Sequence, residues 1–177
     1  MQKIQVEYQL TVSDYRASSY YGLVQRQKMA FRIMAGVIAV GILSLVFRES
    51  LPAKLGTLLP FLAGAYLIWG ILLFAGVERG IRRYVKTPDC LIGRRYRATI
   101  DAQQIRFEIP ERKVDVSFPV DELSFAFELS ALFMLYVSED KVFLLPKRSL
   151  SDAEVRSLRS LLQSRLKTRF ISRFLRT

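Results

Sequence analysis

LLPFLAGAYLIWGILLFAGV, residues 58–77, runs for twenty positions without a charged side chain. As an α-helix it reaches about 30 Å, the thickness of a bilayer's hydrocarbon core. A core helix of that length in a soluble protein normally keeps a polar stripe toward water. This stretch has none, so it reads as a membrane span. Pro60 then falls in the first turn, where a missing backbone N–H costs little. Trp69 sits near the middle of the span, away from the interfacial belts, and reads as a packing residue.

Working outward, residues 33–47 form a second, shorter apolar run. It extends back to Met29 when Arg32 snorkels its guanidinium to the headgroups. Spans at 29–47 and 58–77, joined only by Arg48–Thr57 with its Pro52 and Gly56, make a helical hairpin. A cleaved signal peptide is a poor fit. A polar stretch of 28 residues comes first, and Phe47-Arg48-Glu49 offers no small-residue cleavage site. Arg26, Lys28 and Arg32 precede the hairpin and Arg79, Arg82, Arg83 and Lys86 follow it, whereas the turn carries only Arg48 and Lys54. That asymmetry puts both termini in the cytoplasm. No ionisable residue lies in the core of either span, which weakens a transport role. Ala35, Ala39, Gly36, Gly41, Gly64 and Gly70 would let helix backbones approach closely.

Composition limits the chemistry. The chain of 177 residues has 27 Lys and Arg against 16 Asp and Glu, a formal charge of +11, and neither His nor Asn. Without His, the Ser-His-Asp and Cys-His arrangements and His-containing metal sites are excluded. Cys90 stands alone, so an internal disulfide cannot form. Glycine-rich phosphate loops of the standard kinds are missing. Asp121 and Glu122 are adjacent and would point to opposite faces of a strand. Asp14, Asp101 and Asp115 read as isolated turn or strand residues. The expectation is no enzyme, no cofactor, no metal and no nucleic acid, the basic charge being used for topology.

Outside the hairpin the hydrophobic period changes to two. Lys3–Val12 alternates Ile4, Val6, Tyr8 and Leu10 with polar residues, the pattern of a half-buried strand. A single strand cannot stand alone, so it is expected to pair with the C-terminal domain. Ser13-Asp14 looks like a helix start, with Tyr15–Lys28 running into the first span. Downstream come strands at Tyr96–Ile100, Ile105–Ile109, Val114–Phe118, Leu123–Glu128, Ala131–Val137 and Lys141–Leu145. Ser138-Glu139-Asp140 reads as a tight turn. Ser151 and Glu154 form a capping box ahead of an apolar stripe, Val155, Leu158, Leu161, Leu162 and Leu166. The fold class expected is membrane α+β, a two-helix hairpin plus a small antiparallel β domain closed by a C-terminal helix. Its parts are an N-terminal strand and helix (1–28), the hairpin (29–77), a basic juxtamembrane linker (78–95) and the β domain (96–177).

The order of these parts resembles the YcxB-like family of bacterial membrane proteins. The residues carrying the resemblance are Glu7-Tyr8 to Leu10 with Asp14-Tyr15, and the hairpin Phe133–Val137 and Val142–Leu145. Pro146-Lys147-Arg148, leading into the helix at Ser151, completes it. A Trp that the family pattern implies near Phe118-Pro119 is missing. The resemblance implies a pleckstrin-homology-like C-terminal domain and no mechanism.

Three basic groups are candidate contacts. Arg94, Arg95 and Arg97, after Arg79, Arg82, Arg83 and Lys86, could attract anionic lipid, or could serve the positive-inside bias alone. In the tail Lys167–Thr177, Phe170, Ile171, Phe174 and Leu175 share a helical face amid Lys167, Arg169, Arg173 and Arg176. That pattern suits a helix lying on an anionic membrane, or one extending the closing helix onto the sheet. Lys147 and Arg148 sit where a phosphate or lipid headgroup could bind, though solvated loop charges read the same way. Cys90 is either an acylated juxtamembrane thiol or a small packed residue. The expected function is a non-enzymatic binding or scaffold module in the bacterial inner membrane, its partners the bilayer and either another protein or its own copies. An anionic-lipid sensor and an accessory subunit of a transporter or membrane enzyme are the alternatives.

Overall fold

The computed structural model describes residues 3–138 and 141–172, Arg48 by its backbone alone. The chain divides into two compact units, one built from residues up to Ser18 and from Pro88 onward, the other from Ser19–Thr87.

The first unit is two four-stranded sheets and a helix. Strands β1 (Ile4–Gln9), β2 (Arg95–Ile100), β3 (Gln104–Ile109) and β4 (Val114–Pro119) lie in that order, all antiparallel. β1 pairs with β2 from Ile4 opposite Ile100 to Gln9 opposite Arg95, so strands flanking the long insertion are sheet neighbours. In the second sheet, β5 (Phe125–Glu128), β6 (Leu132–Tyr136) and β7 (Val142–Pro146) form an antiparallel meander. A short β8 (Phe170–Ser172) joins β5 in parallel.

Period two produces the core. Ile4, Val6 and Tyr8, Tyr96, Ala98 and Ile100, and Ile105, Phe107 and Ile109 are buried while their alternates face out. Phe143 of β7 stacks on Phe107 at 4.5 Å and lies 5.4 Å from Phe118, joining the two sheets. Tyr8 donates from its hydroxyl to the Leu144 carbonyl at 2.8 Å, and burial holds that phenol well above its usual pKa. The outward face of the first sheet carries a charge ladder. Arg97 bonds Glu7 at 2.7 Å and Arg106 reaches Glu108 at 3.0 Å as well as Asp115.

The closing helix α4 (Asp152–Leu166) starts at the capping box of Ser151 and Glu154 and buries Leu158, Leu161, Leu162 and Leu166. It stops at Leu166, and Lys167 takes a positive φ of 49°. Residues 167–172 therefore depart from both helical readings. Phe170 and Ile171 suit a pleated surface, and the edge of β5 offers backbone partners that a frayed helix end lacks. Phe174 and Leu175 lie outside the described residues, as do Glu139 and Asp140 of the expected turn.

The second unit contains two helices long and apolar enough to cross a membrane, α2 (Lys28–Val46) and α3 (Ala53–Val85). Their apolar windows have mean hydropathies of 2.2 and 2.1. Ahead of them, α1 (Val12–Arg26) ends at Arg26 and Gln27 caps α2, so the chain breaks before α2 rather than running on. α3 differs from the expected 58–77 at both ends. It starts at Ala53, placing Pro60 inside the helix instead of in its first turn, and it continues to Val85. Residues 78–85 of the expected linker are thus helix, carrying exposed Arg79, Arg82 and Arg83. Inside this unit Tyr20 donates to Glu78 at 2.6 Å, and Tyr20 and Phe31 pack on Phe74. Trp69 stands edge-on to Tyr66 and is partly exposed beside an apolar cleft with Ala30, Ile33 and Leu62.

Candidate functional site

Pro146 ends β7, and Lys147–Ser149 make one 3-10 turn before α4. The Lys147 amide bonds Ala131 O at 2.8 Å, which fixes the turn against the start of β6. The two basic side chains then take separate partners.

Lys147 turns inward. Its Nζ lies 2.8 Å from Glu128 Oε1 and 5.1 Å from the centre of the Phe133 ring. Glu128, the last residue of β5, has a fully buried side chain. It also accepts from Arg159 of α4, through Nε at 2.8 Å and Nη2 at 2.5 Å, and from Ser172 Oγ at 2.7 Å. Burial alone would raise the Glu128 pKa. The bonds from Arg159, Lys147 and Ser172 and the nearby Lys147 charge reverse that and bring it to about 2.

Arg148 reaches residues on the other side of the insertion. Its Nη1 and Nη2 bond the two Asp14 oxygens at 2.6 Å each, and Nη2 also donates to Gln9 O at 2.8 Å. Asp14 is 3% exposed and opens α1. The Thr11 amide donates to Asp14 Oδ2 at 2.8 Å while the Asp14 amide donates back to Thr11 Oγ1 at 3.3 Å, a reciprocal cap. Burial opposes ionisation of Asp14, but Arg148 and Thr11 hold its pKa below the usual value.

Beside this knot lies an open cleft of about 500 Å³ lined by Glu7, Tyr8, Gln9, Thr11, Arg95, Arg148 and Ser149. Arg95 is exposed there. Its neighbours in sequence are engaged, Arg94 with Glu111 at 2.8 Å and Arg97 with Glu7. Arg169 directs its Nη1 to Leu123 O at 2.7 Å. Arg173 and Arg176 lie outside the described residues. Of the basic candidates, then, Lys147, Arg148 and Arg169 all make bonds within the fold, and Arg148 and Arg95 share a cleft. Half-buried Cys90 sits in the loop after α3, where Arg112 bonds Pro88 O.

The acidic halves of both knots escape a reading by composition. Asp14 is no isolated turn residue, and Thr11 three places before it is the signal, since that spacing matches a reciprocal cap. Asp115 likewise pairs with Arg106. Glu128 ends a strand whose other members are apolar, a position where an acid needs a buried cation. Among the described residues no group of three His, Cys, Asp or Glu side chains is placed to hold a metal.

No protein-family model, curated protein or solved structure matches this chain.

Proposed function

We propose that this chain is an integral protein of the bacterial inner membrane, a hairpin anchor carrying a cytoplasmic pleckstrin-homology-like binding or scaffold module. The observation that carries the reading is the insertion of two apolar helices between paired neighbours β1 and β2. Only 11% of each helix's apolar window is buried, and Ile33, Leu43, Phe61 and Ile71 are among the exposed side chains. In water that surface would be far larger than a monomeric soluble protein carries. Lipid removes the cost. The pairing of β1 with β2 supports an even number of crossings, which two spans satisfy, and the basic flanks favour the cytoplasmic side for both termini. The sheet orders β1-β2-β3-β4 and β7-β6-β5-β8, with α4 following β7, support the pleckstrin-like reading.

Alkaline extraction should leave the chain in the membrane pellet. In a Cys90→Ser background, a cysteine replacing Lys54 should react with an impermeant maleimide on intact spheroplasts. One replacing Lys113 should react only after lysis. The reverse labelling pattern would overturn the topology, and release at alkaline pH would overturn the anchor.

One observation favours an anionic-lipid reading, the cleft shared by Arg95 and Arg148. Arg148 belongs to a structural knot, so Arg95 is the cleaner probe. Arg95→Glu should strip co-purifying anionic phospholipid, measured by native mass spectrometry, without shifting the melting temperature. Unchanged lipid would dispose of the sensor idea.

A further inference from the structure

The two apolar runs hold few side chains that hydrogen-bond. Between Ile33 and Phe47 the only one is Ser44, and between Leu58 and Val77 there are only Tyr66 and Trp69. The Ser44 hydroxyl is spent on Gly41 O. Tyr66 and Trp69 meet edge to face with ring centres 6.2 Å apart, a contact that does not join the hydroxyl to the indole N–H. Among the described residues neither Tyr66 Oη nor Trp69 Nε1 has a hydrogen-bond partner.

Both groups lie deep along the helix pair. Gly41 faces Ala63 and Met34 faces Gly70. That register sets Tyr66 level with Ile38 and Trp69 level with Ala35, on either side of the middle of α2 at Val37. Each lies eight positions from one end of the charge-free run 58–77, about 12 Å along the axis and farther than its side chain reaches. In hydrocarbon an unpaired hydroxyl or N–H is costly, and acyl chains offer no acceptor. Ala30, Ile33, Leu62 and Ala65 join Tyr66 and Trp69 in lining an open cleft of about 470 Å³, where the two alanines let a further helix come close.

We propose that this cleft is the contact between two copies of the chain in the membrane, with Trp69 of each copy donating to the Tyr66 hydroxyl of the other. The occupant follows from hydrogen-bond complementarity. An indole offers a donor alone, whereas a Tyr hydroxyl also accepts. Of the polar side chains in the two runs, the Tyr66 hydroxyl is the one acceptor not already used, so a second copy brings the group that Trp69 lacks. Copies inserted in the same direction about a two-fold axis along the membrane normal place identical residues at identical depths. Tyr66 and Trp69 then differ in depth by three residues, about 4.5 Å, which two large side chains leaning together can bridge. This pairing rests on the membrane anchor proposed above, since water would satisfy both groups.

The test uses full-length chains carrying two different tags, co-expressed in native membranes with Cys90→Ser throughout. Ala65→Cys lies in the cleft. Ile71→Cys, on the opposite side of α3 by helical spacing and at an exposed position, is the control. Oxidation with iodine, which enters the bilayer, should join the two tags through Ala65→Cys at least tenfold more than through Ile71→Cys. Adding Tyr66→Phe and Trp69→Phe, which keep aromatic rings and remove their polar tips, should lower that joined fraction about tenfold. Equal joining at the two positions, or none at Ala65→Cys, overturns the cleft as the contact. Joining that survives both Phe substitutions overturns the bond between Tyr66 and Trp69. A disulfide from Ala65→Cys to an unrelated protein overturns the second-copy assignment. Release of the chain at alkaline pH overturns the anchor itself, whereas failed joining by a chain retained in the membrane pellet overturns the pairing of copies alone.

Discussion

Glu128→Ala is expected to destabilise the sandwich by about 3–5 kcal/mol, the usual cost of breaking a buried ion pair from one side. The loss is large because the carboxylate meets four side-chain donor groups on three other elements. Lys147 follows β7, Arg159 contributes two nitrogens from α4, and Ser172 comes from β8. Removing it leaves Lys147 and Arg159 facing each other in a site where their side chains are only 15% and 27% exposed. Without the Glu128 carboxylate between them the two cations repel each other, and Lys147 turning away would uncover the Phe133 ring it covers. Glu128→Gln keeps the shape and one acceptor, so it should cost less. In thermal melts of the detergent-solubilised chain, the alanine variant should lose about 10–20 °C, given the usual scaling for a domain near 100 residues. A melt unchanged within a degree or two would show that the knot is not under the load described.

The same carboxylate sets the acid limit. Its folded pKa, lowered from 4.5 to about 2, lies below the unfolded value. A depressed carboxylate contributes fully above its unfolded pKa, and the contribution disappears as pH falls through the folded one. Stability should therefore decline between pH 4.5 and about 2, by about 3 kcal/mol from this group. Asp14, also lowered, adds to the decline in the same direction. In Glu128→Gln the larger part of that slope should vanish, because the amide does not titrate.

The hairpin and the strands were legible in the sequence because each follows from a local period. Ile4, Val6 and Tyr8 alternate with Gln5 and Glu7, and the buried residues of β1 are those three. The capping box at Ser151 and Glu154 marks the first turn of α4 without help from tertiary structure. Most of what failed was decided by distant partners. The tail Lys167–Thr177 carries Phe170, Ile171, Phe174 and Leu175 at helical spacing, yet the edge of β5 captured Phe170–Ser172 as a strand. The limits of α3 moved because helical propensity continues through Glu78–Val85 after the apolar run ends. The ion pairs were invisible for the same reason. Arg148 and Asp14 stand 134 positions apart, and no spacing rule joins residues separated by an inserted hairpin. Lys147 and Arg148 therefore read as a free basic loop when their first use is internal.

Gly41→Leu should disrupt the packing of α2 on α3, at a cost of about 3 kcal/mol or more, the upper range for overpacking. A Cβ on Gly41 would overlap the Ala63 Cβ and lie 3.1 Å from the Leu59 carbonyl oxygen, so the two backbones touch at this point. Ser44, buried one turn further along α2, satisfies its hydroxyl within the helix by donating to Gly41 O at 2.7 Å. Neither neighbour can yield as a flexible side chain would. At Gly70 the nearest atom is the Met34 sulfur at 3.1 Å, which can swing aside, so Gly70→Ala should be mild. Gly36 and Gly64 supply the contrast, since a Cβ on either meets nothing within 4 Å. Gly36→Leu and Gly64→Leu should leave the hairpin's melting temperature near that of the parent chain in detergent, while Gly41→Leu lowers it sharply. If all three substitutions were equally harmful, the open faces at Gly36 and Gly64 would have to be covered by other helices. Harm at Gly41 alone places the critical contact of the helix pair at the crossing of α2 with Ala63 of α3.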